Sequence, residues 1–128
     1  MEKPASALDG RKTFGRLAED RAADYLTGCG YTLLARNWRT RGGELDIIAR
    51  DGVWLVFVEV RARHGDSLGR PEESVTRRKQ ARLAALATAY LAQCGWEGPW
   101  RIDVIALRYG PGGRVDINHF ADAIGGPG

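Results

Sequence analysis

The run from Gly42 to Arg63 leaves little choice of local structure. Two apolar-rich segments meet at Asp51-Gly52, a pair that tolerates the positive φ required at both central residues of a type I′ turn. The segments are therefore expected to be neighbouring antiparallel strands. With Asp51 and Gly52 as the loop, Arg50 faces Val53, Ile48 faces Leu55, Asp46 faces Phe57 and Glu44 faces Glu59. Side chains alternate along a strand. One face then carries Glu44, Asp46, Ile48, Leu55, Phe57, Glu59 and Arg61, and the other Leu45, Ile47, Trp54, Val56, Val58 and Val60.

Three carboxylates on one face of so apolar a pair need compensation, because like charges opposite one another destabilise a sheet. A divalent cation, the guanidinium of Arg61 or Arg63, or a raised pKa on one carboxylate would each supply it. The plainer alternative is a set of solvated charges at the open end of the hairpin.

With 128 residues and 44% apolar content, the chain suits one domain around one core. No apolar run approaches the roughly 20 residues of a membrane span, and the start lacks the apolar centre of a signal peptide, so a cytoplasmic protein without a membrane partner is expected. Cys29 and Cys94 are too few and too far apart for a zinc site, and are expected as buried thiols. The net charge of +3 permits nucleic acid as a partner without demanding it. Only Lys3, Lys12 and Lys79 are lysines among the 19 basic residues, so an arginine in a lysine's place has a compositional explanation.

In chain order, residues 1–13 are expected as a flexible tail. A helix follows from Gly15 to Gly30, with Ala18, Ala22, Tyr25, Leu26 and Cys29 inward and Glu19 beside that stripe. Next come a strand over Tyr31–Trp38, a basic turn over Asn37–Gly43, the hairpin, and a loop from His64 to Pro71. The longest helix is expected from Pro71 or Glu72 to Cys94, burying Val75, Leu83, Leu86, Ala87, Tyr90, Leu91 and Cys94. Trp100–Leu107 reads as a strand with Arg101 and Asp103 on one face, and Val115–Phe120 as a short final strand. The expected fold is α/β: a mixed sheet with a central β-hairpin, flanked by helices, forming one domain over residues 14–121 with a flexible tail over 122–128.

An Asp on one strand and Glu-x-Lys on the next is the arrangement by which nucleases of the restriction-endonuclease-like superfamily, PD-(D/E)xK, hold a divalent metal. Asp46 and Glu59-Val60-Arg61 stand in that order here. Together with Gly15-Arg16-Leu17-Ala18-Glu19, Arg36-Asn37-Trp38-Arg39, Gly43 to Arg50, Phe57 to Arg63 and Arg101-Ile102-Asp103-Val104, the chain resembles the bacterial YraN-like family, UPF0102, from about Phe14 to Phe120. That family is similar in predicted fold to archaeal Holliday-junction resolvases.

The resemblance implies a restriction-endonuclease-like fold with Asp46, Glu59, Arg61 and Glu19 as catalytic residues. Asp46, Glu59 and the Val60 carbonyl would ligate Mg²⁺ or Mn²⁺, with Glu44 close enough to help. Arg61 departs from the family's Glu-Val-Lys motif. A lysine there can share in proton transfer, whereas arginine supplies charge alone. Arg39, Arg41, Arg63, Arg77, Arg78 and Arg82, with Arg36, are the candidate phosphate contacts. The expected activity is hydrolysis of DNA phosphodiesters, with branched DNA among the candidate substrates. A non-catalytic nucleic-acid-binding or scaffold module and an adaptor using its carboxylates in salt bridges are the rivals.

Overall fold

The computed structural model describes residues 7–65 and 76–124, with side chains from residue 13 onward. In chain order the elements are α1 (Ala7–Gly28), β1 (Thr32–Thr40), β2 (Gly43–Asp51), β3 (Trp54–His64), α2 (Arg77–Cys94), β4 (Trp100–Tyr109) and β5 (Val115–Phe120). The strands form one sheet in the order β1-β2-β3-β4-β5. β3 and β4 are parallel, with α2 between them in the chain, and the other neighbours are antiparallel. Among the described residues no helix is long and apolar enough to cross a membrane.

Each helix covers one face. Ala22, Ala23 and Leu26 of α1 pack on Ile47, Ala49, Val56, Val58, Ile105 and Leu107. Leu83, Leu86 and Ala87 of α2 pack on Leu45, Ile48, Leu55, Phe57, Ile102 and Val104. A strand covered on both sides has no solvent face, which is why Leu55–Val58 and Ile102–Leu107 are buried without alternation.

Several boundaries differ from those expected. α1 starts at Ala7, inside the expected tail, because extending a packed helix adds one hydrogen bond per residue whether or not an apolar stripe continues. α2 starts at Arg77 rather than Pro71 or Glu72, with the Thr76 hydroxyl accepting from the Lys79 N–H at 3.2 Å. Most of the expected loop, and Val75, lie outside the described residues. Ile124, placed in the expected C-terminal tail, is buried on the α2 side, and the Ala123 N–H donates to the Ile102 carbonyl. Cys29 and Cys94 are exposed rather than buried, each lying past the last turn of its helix that packs on the sheet.

The hairpin forms with a shifted register. Asp51 pairs with Trp54 and Ile48 with Phe57, leaving Gly52-Val53 as the loop. Gly52 alone takes positive φ, 61°, matching a turn with glycine first rather than the expected type I′. Asp51 stays in β2, where its carboxylate accepts from Arg101 at 3.2 Å. Because the shift is two residues, facing pairs change while the strand faces remain compatible.

The β2–β3 ladder then stops at Ile47–Val58. Beyond it β2 continues to Gly43 paired only with β1, and β3 continues to His64 paired only with β4. The sheet forks at Asp46 and Glu59.

Candidate functional site

β1 and β2 turn over at the fork. Ala35 and Trp38 of β1, and Leu45 and Ile48 of β2, all pack on the α2 side, although residues three apart in a straight strand face opposite ways. The pairing passes from Arg36–Ile47 to Trp38–Leu45, skipping Asn37 and Asp46. Asn37 has φ 53°, a left-handed conformation that asparagine tolerates better than most residues. This corrects the unbroken alternation expected from the sequence. It moves Leu45 to the α2 core and turns Glu44 toward α1, where Glu19 stands.

Glu19, Glu44 and Asp46 present carboxylate oxygens within 4.8 Å of one another, close enough to hold one metal ion. The Asn37 side-chain amide links two of them, donating to Glu19 at 2.8 Å and to Glu44 at 3.3 Å. Arg36 bonds Asp20 at 2.7 Å and lies 3.8 Å from Glu19, and Arg39 pairs with Glu44.

Asp46 occupies the fork. Its Oδ2 accepts from the Val60 N–H at 2.8 Å, and its carboxyl also shares a hydrogen bond with Glu59. A strand residue directs its N–H and carbonyl to the same side, so the Val60 carbonyl also faces the fork. Alternation along β3 puts Glu59 and Arg61 with Phe57 on the α2 side, and the two are 3.6 Å apart. Asp46 thus stands within 4.8 Å of Glu19 and Glu44 on one side and beside Glu59 on the other. A cavity of about 460 Å³ opens here between α1 and α2, with Glu19, Asp46, Glu59, Arg61 and Arg82 in its wall.

Burial pushes the Asp46 carboxyl up to about 8, helped by the charge and hydrogen bond of Glu59 and opposed by the Val60 N–H. Glu19 is also raised, by burial first and then by Asp46 and Glu44, against the lowering effect of the Asn37 amide. The protein therefore meets the crowding of its carboxylates partly by retaining a proton.

Asp46, Glu59, Val60, Arg61 and Glu19 are all brought to the fork. Glu44, named only as a helper in the sequence reading, is an equal member of the carboxylate group. The bridging role of Asn37 is new, since the residue reads from sequence as part of a turn. Among the candidate phosphate contacts, Arg82 lines the cavity and lies against Gly43, where a Cβ would come within 3.4 Å of it. Arg63 is half-buried two residues beyond Arg61, and Arg39 is held by Glu44. Arg41, Arg77 and Arg78 are exposed, at the β1–β2 turn and the start of α2.

A second polar group joins α1, β4 and β5. Asp103 is fully buried and accepts from Arg101 at 3.0 Å and from the Asp122 N–H at 2.9 Å, with His119 Nε2 at 2.7 Å. Arg101 also donates to Tyr31, and His119 meets the Tyr25 hydroxyl. Burial alone would raise the Asp103 carboxyl, but the bonds from His119, Asp122 and Arg101 outweigh it and hold it below the usual range. The sequence placed Arg101 and Asp103 on one face without giving His119 as their partner.

A sequence profile described as "Uncharacterised protein family UPF0102" matches residues 18–107, most of the chain and the whole group from Glu19 to Arg61. The chain belongs to UPF0102. It is similar to the UPF0102 protein of Symbiobacterium thermophilum, 52% identical over 102 residues covering 79% of this chain and 86% of that one. The UPF0102 protein of Chloroflexus aurantiacus is 47% identical over 117 residues, covering 90% and 95% of the two chains. That of Rhodococcus jostii is 47% identical over 111 residues, covering 85% and 93%. The UPF0102 match includes Asn37 and Asp103 but ends before His119.

Proposed function

We propose that this UPF0102 protein is a metal-dependent endonuclease of the restriction-endonuclease-like, PD-(D/E)xK, fold that hydrolyses DNA phosphodiesters, with branched DNA among its candidate substrates. The observation that carries this reading is the fork, where Asp46 meets Glu59 and the Val60 backbone on one side and Glu19 and Glu44 on the other. A salt-bridge adaptor does not require so many carboxylates around one protonated aspartate.

The donor set suits Mg²⁺ or Mn²⁺, hard cations that take oxygen ligands. Asp46, Glu59 and the Val60 carbonyl would hold the ion, with Glu19 and Glu44 approaching from α1's side. Bound there, it supplies Lewis-acid polarisation of a phosphoryl oxygen and acidifies water. Arg61 stabilises the charge that develops on the phosphoryl group, and its guanidinium does not give up a proton. Proton movement then falls to Glu19, which stands beside the proposed ligands rather than among them and whose carboxyl pKa is raised by burial. The arginines around the cavity and on the start of α2 offer phosphate contacts.

The rival is a nucleic-acid-binding module that keeps the fold without the reaction. The Arg61–Glu59 ion pair favours it, since it sets a fixed positive charge against a proposed metal ligand. Incubating branched, single-stranded and duplex substrates with Mg²⁺ or Mn²⁺ separates the two. The nuclease reading expects cleavage of at least one substrate, its loss in Asp46→Ala, retained or higher activity in Arg61→Lys, and a fall of ~10²-fold in Arg61→Ala. Binding without cleavage by either wild type or Arg61→Lys establishes the module instead.

A further inference from the structure

Two depressions meet at the carboxylates. The larger, about 460 Å³, lies between α1 and α2 and has Arg61 and Arg82 in its wall. The second, about 280 Å³, lies between α1 and the β1–β2 pair and is lined by Arg16, Asn37 and Arg39. Gly15, Glu19 and Glu44 line both, so the depressions are contiguous, with Glu19 and Glu44 on the divide and Asp46 and Glu59 just inside the larger.

Gly15 is well inside α1, where glycine weakens a helix relative to alanine. Packing does not require it, because a Cβ at this position would find nothing within 4 Å. What its bare backbone provides is clearance where the two depressions join. The charges are also arranged in sequence: Arg82 on one side, the carboxylates with Arg61 between, Arg16 and Arg39 on the other. Arg16 makes no ion pair among the described residues, and Arg39 is held at the edge of the second depression by Glu44. A polyanion with a phosphate on each side of the reacting one has the complementary pattern. A cube of the larger volume is ~8 Å on a side, room for one backbone rather than for a whole duplex, whose major groove alone spans ~12 Å.

We infer that a single strand of nucleic acid crosses the carboxylate group through both depressions, passing the bare backbone at Gly15, with the neighbouring phosphate held by Arg16 and Arg39. The carboxylates' place at the reacting phosphate rests on the nuclease reading, whereas the route itself requires only binding. Neither Gly15 nor Arg16 belongs to the proposed catalytic machinery.

The test is a length series of labelled single-stranded oligonucleotides, with a duplex control, bound in Ca²⁺ to wild type, Gly15→Leu and Arg16→Ala. Wild-type affinity should rise with length until both depressions are filled. Gly15→Leu, which improves helix propensity and should not lower Tm, should weaken binding of the longer oligonucleotides by about 10-fold and spare the shortest. Arg16→Ala should reduce the slope of log K against log salt by ~0.7, the share of one phosphate on a single strand. Wild-type length dependence in both variants, a preference for duplex over single strand, or no binding by wild type would overturn the route. Length-dependent binding that is lost in Gly15→Leu, from a protein that cleaves nothing, would uphold the route and remove the nuclease reading alone.

Discussion

Asp46 is where the two sides of the fork depend on one proton. With its pKa moved from 3.8 in the unfolded chain to about 8, the native state binds a proton that the unfolded state has released. The stability this contributes is complete below the unfolded value and is lost as pH rises toward about 8. A cation at the fork must displace that proton, so its affinity should change in the opposite direction, rising by about one log unit per pH unit below the Asp46 pKa. Calorimetric titration of Mn²⁺ from about pH 6 to about pH 8, run beside thermal melts without metal, checks both signs. Asp46→Asn should flatten both curves, and a wild-type Mn²⁺ affinity that is constant over this range would show that no such proton is displaced.

At the scale of elements, β5 is an edge strand fastened by side chains as well as by its ladder to β4. His119 brings it to the buried Asp103 carboxylate, and Asp103 also holds the chain just past β5 through the Asp122 N–H. Asp103→Ala should cost ~3–5 kcal/mol in urea denaturation, as expected when a buried ion pair loses one member. Amide exchange should show the loss of protection concentrated in Val115–Phe120; an even loss across the sheet would mean that Asp103 supports the core rather than the edge. His119 was not legible in the sequence because its partners lie 16 and 94 residues away, and no local pattern encodes such a contact. The hairpin and the gathering of Asp46 with Glu59 were legible, since a register error of two residues leaves strand parity intact. The turnover was not: it depends on Asn37 taking positive φ within a strand, and an asparagine opening the basic stretch Asn37–Gly43 reads equally well as a turn. Glu44 was therefore placed near the site, with Glu19 approaching the same carboxylates, but on the α2 side of the sheet rather than the α1 side.

For the whole molecule, a net charge of +3 is modest, so the nucleic-acid affinity proposed above would have to come from where the arginines stand. Log K should fall with log salt by ~0.7 to 0.9 for each phosphate contacted, and charge-removing variants of Arg41, Arg78 and Arg82 should each flatten that slope. Salt-independent binding, measured by fluorescence anisotropy, would exclude the arginine surface as the contact. The fork has a consequence of another kind. Ten residue pairs join β3 to β4 and seven join β1 to β2, but only five join β2 to β3, all of them toward the hairpin turn. Mechanically the sheet is two pieces sewn together along half a seam, and the carboxylates line its open end. Whatever grips both edges there closes the seam, so occupancy of the site should be felt as stiffness across the whole sheet rather than as a local change.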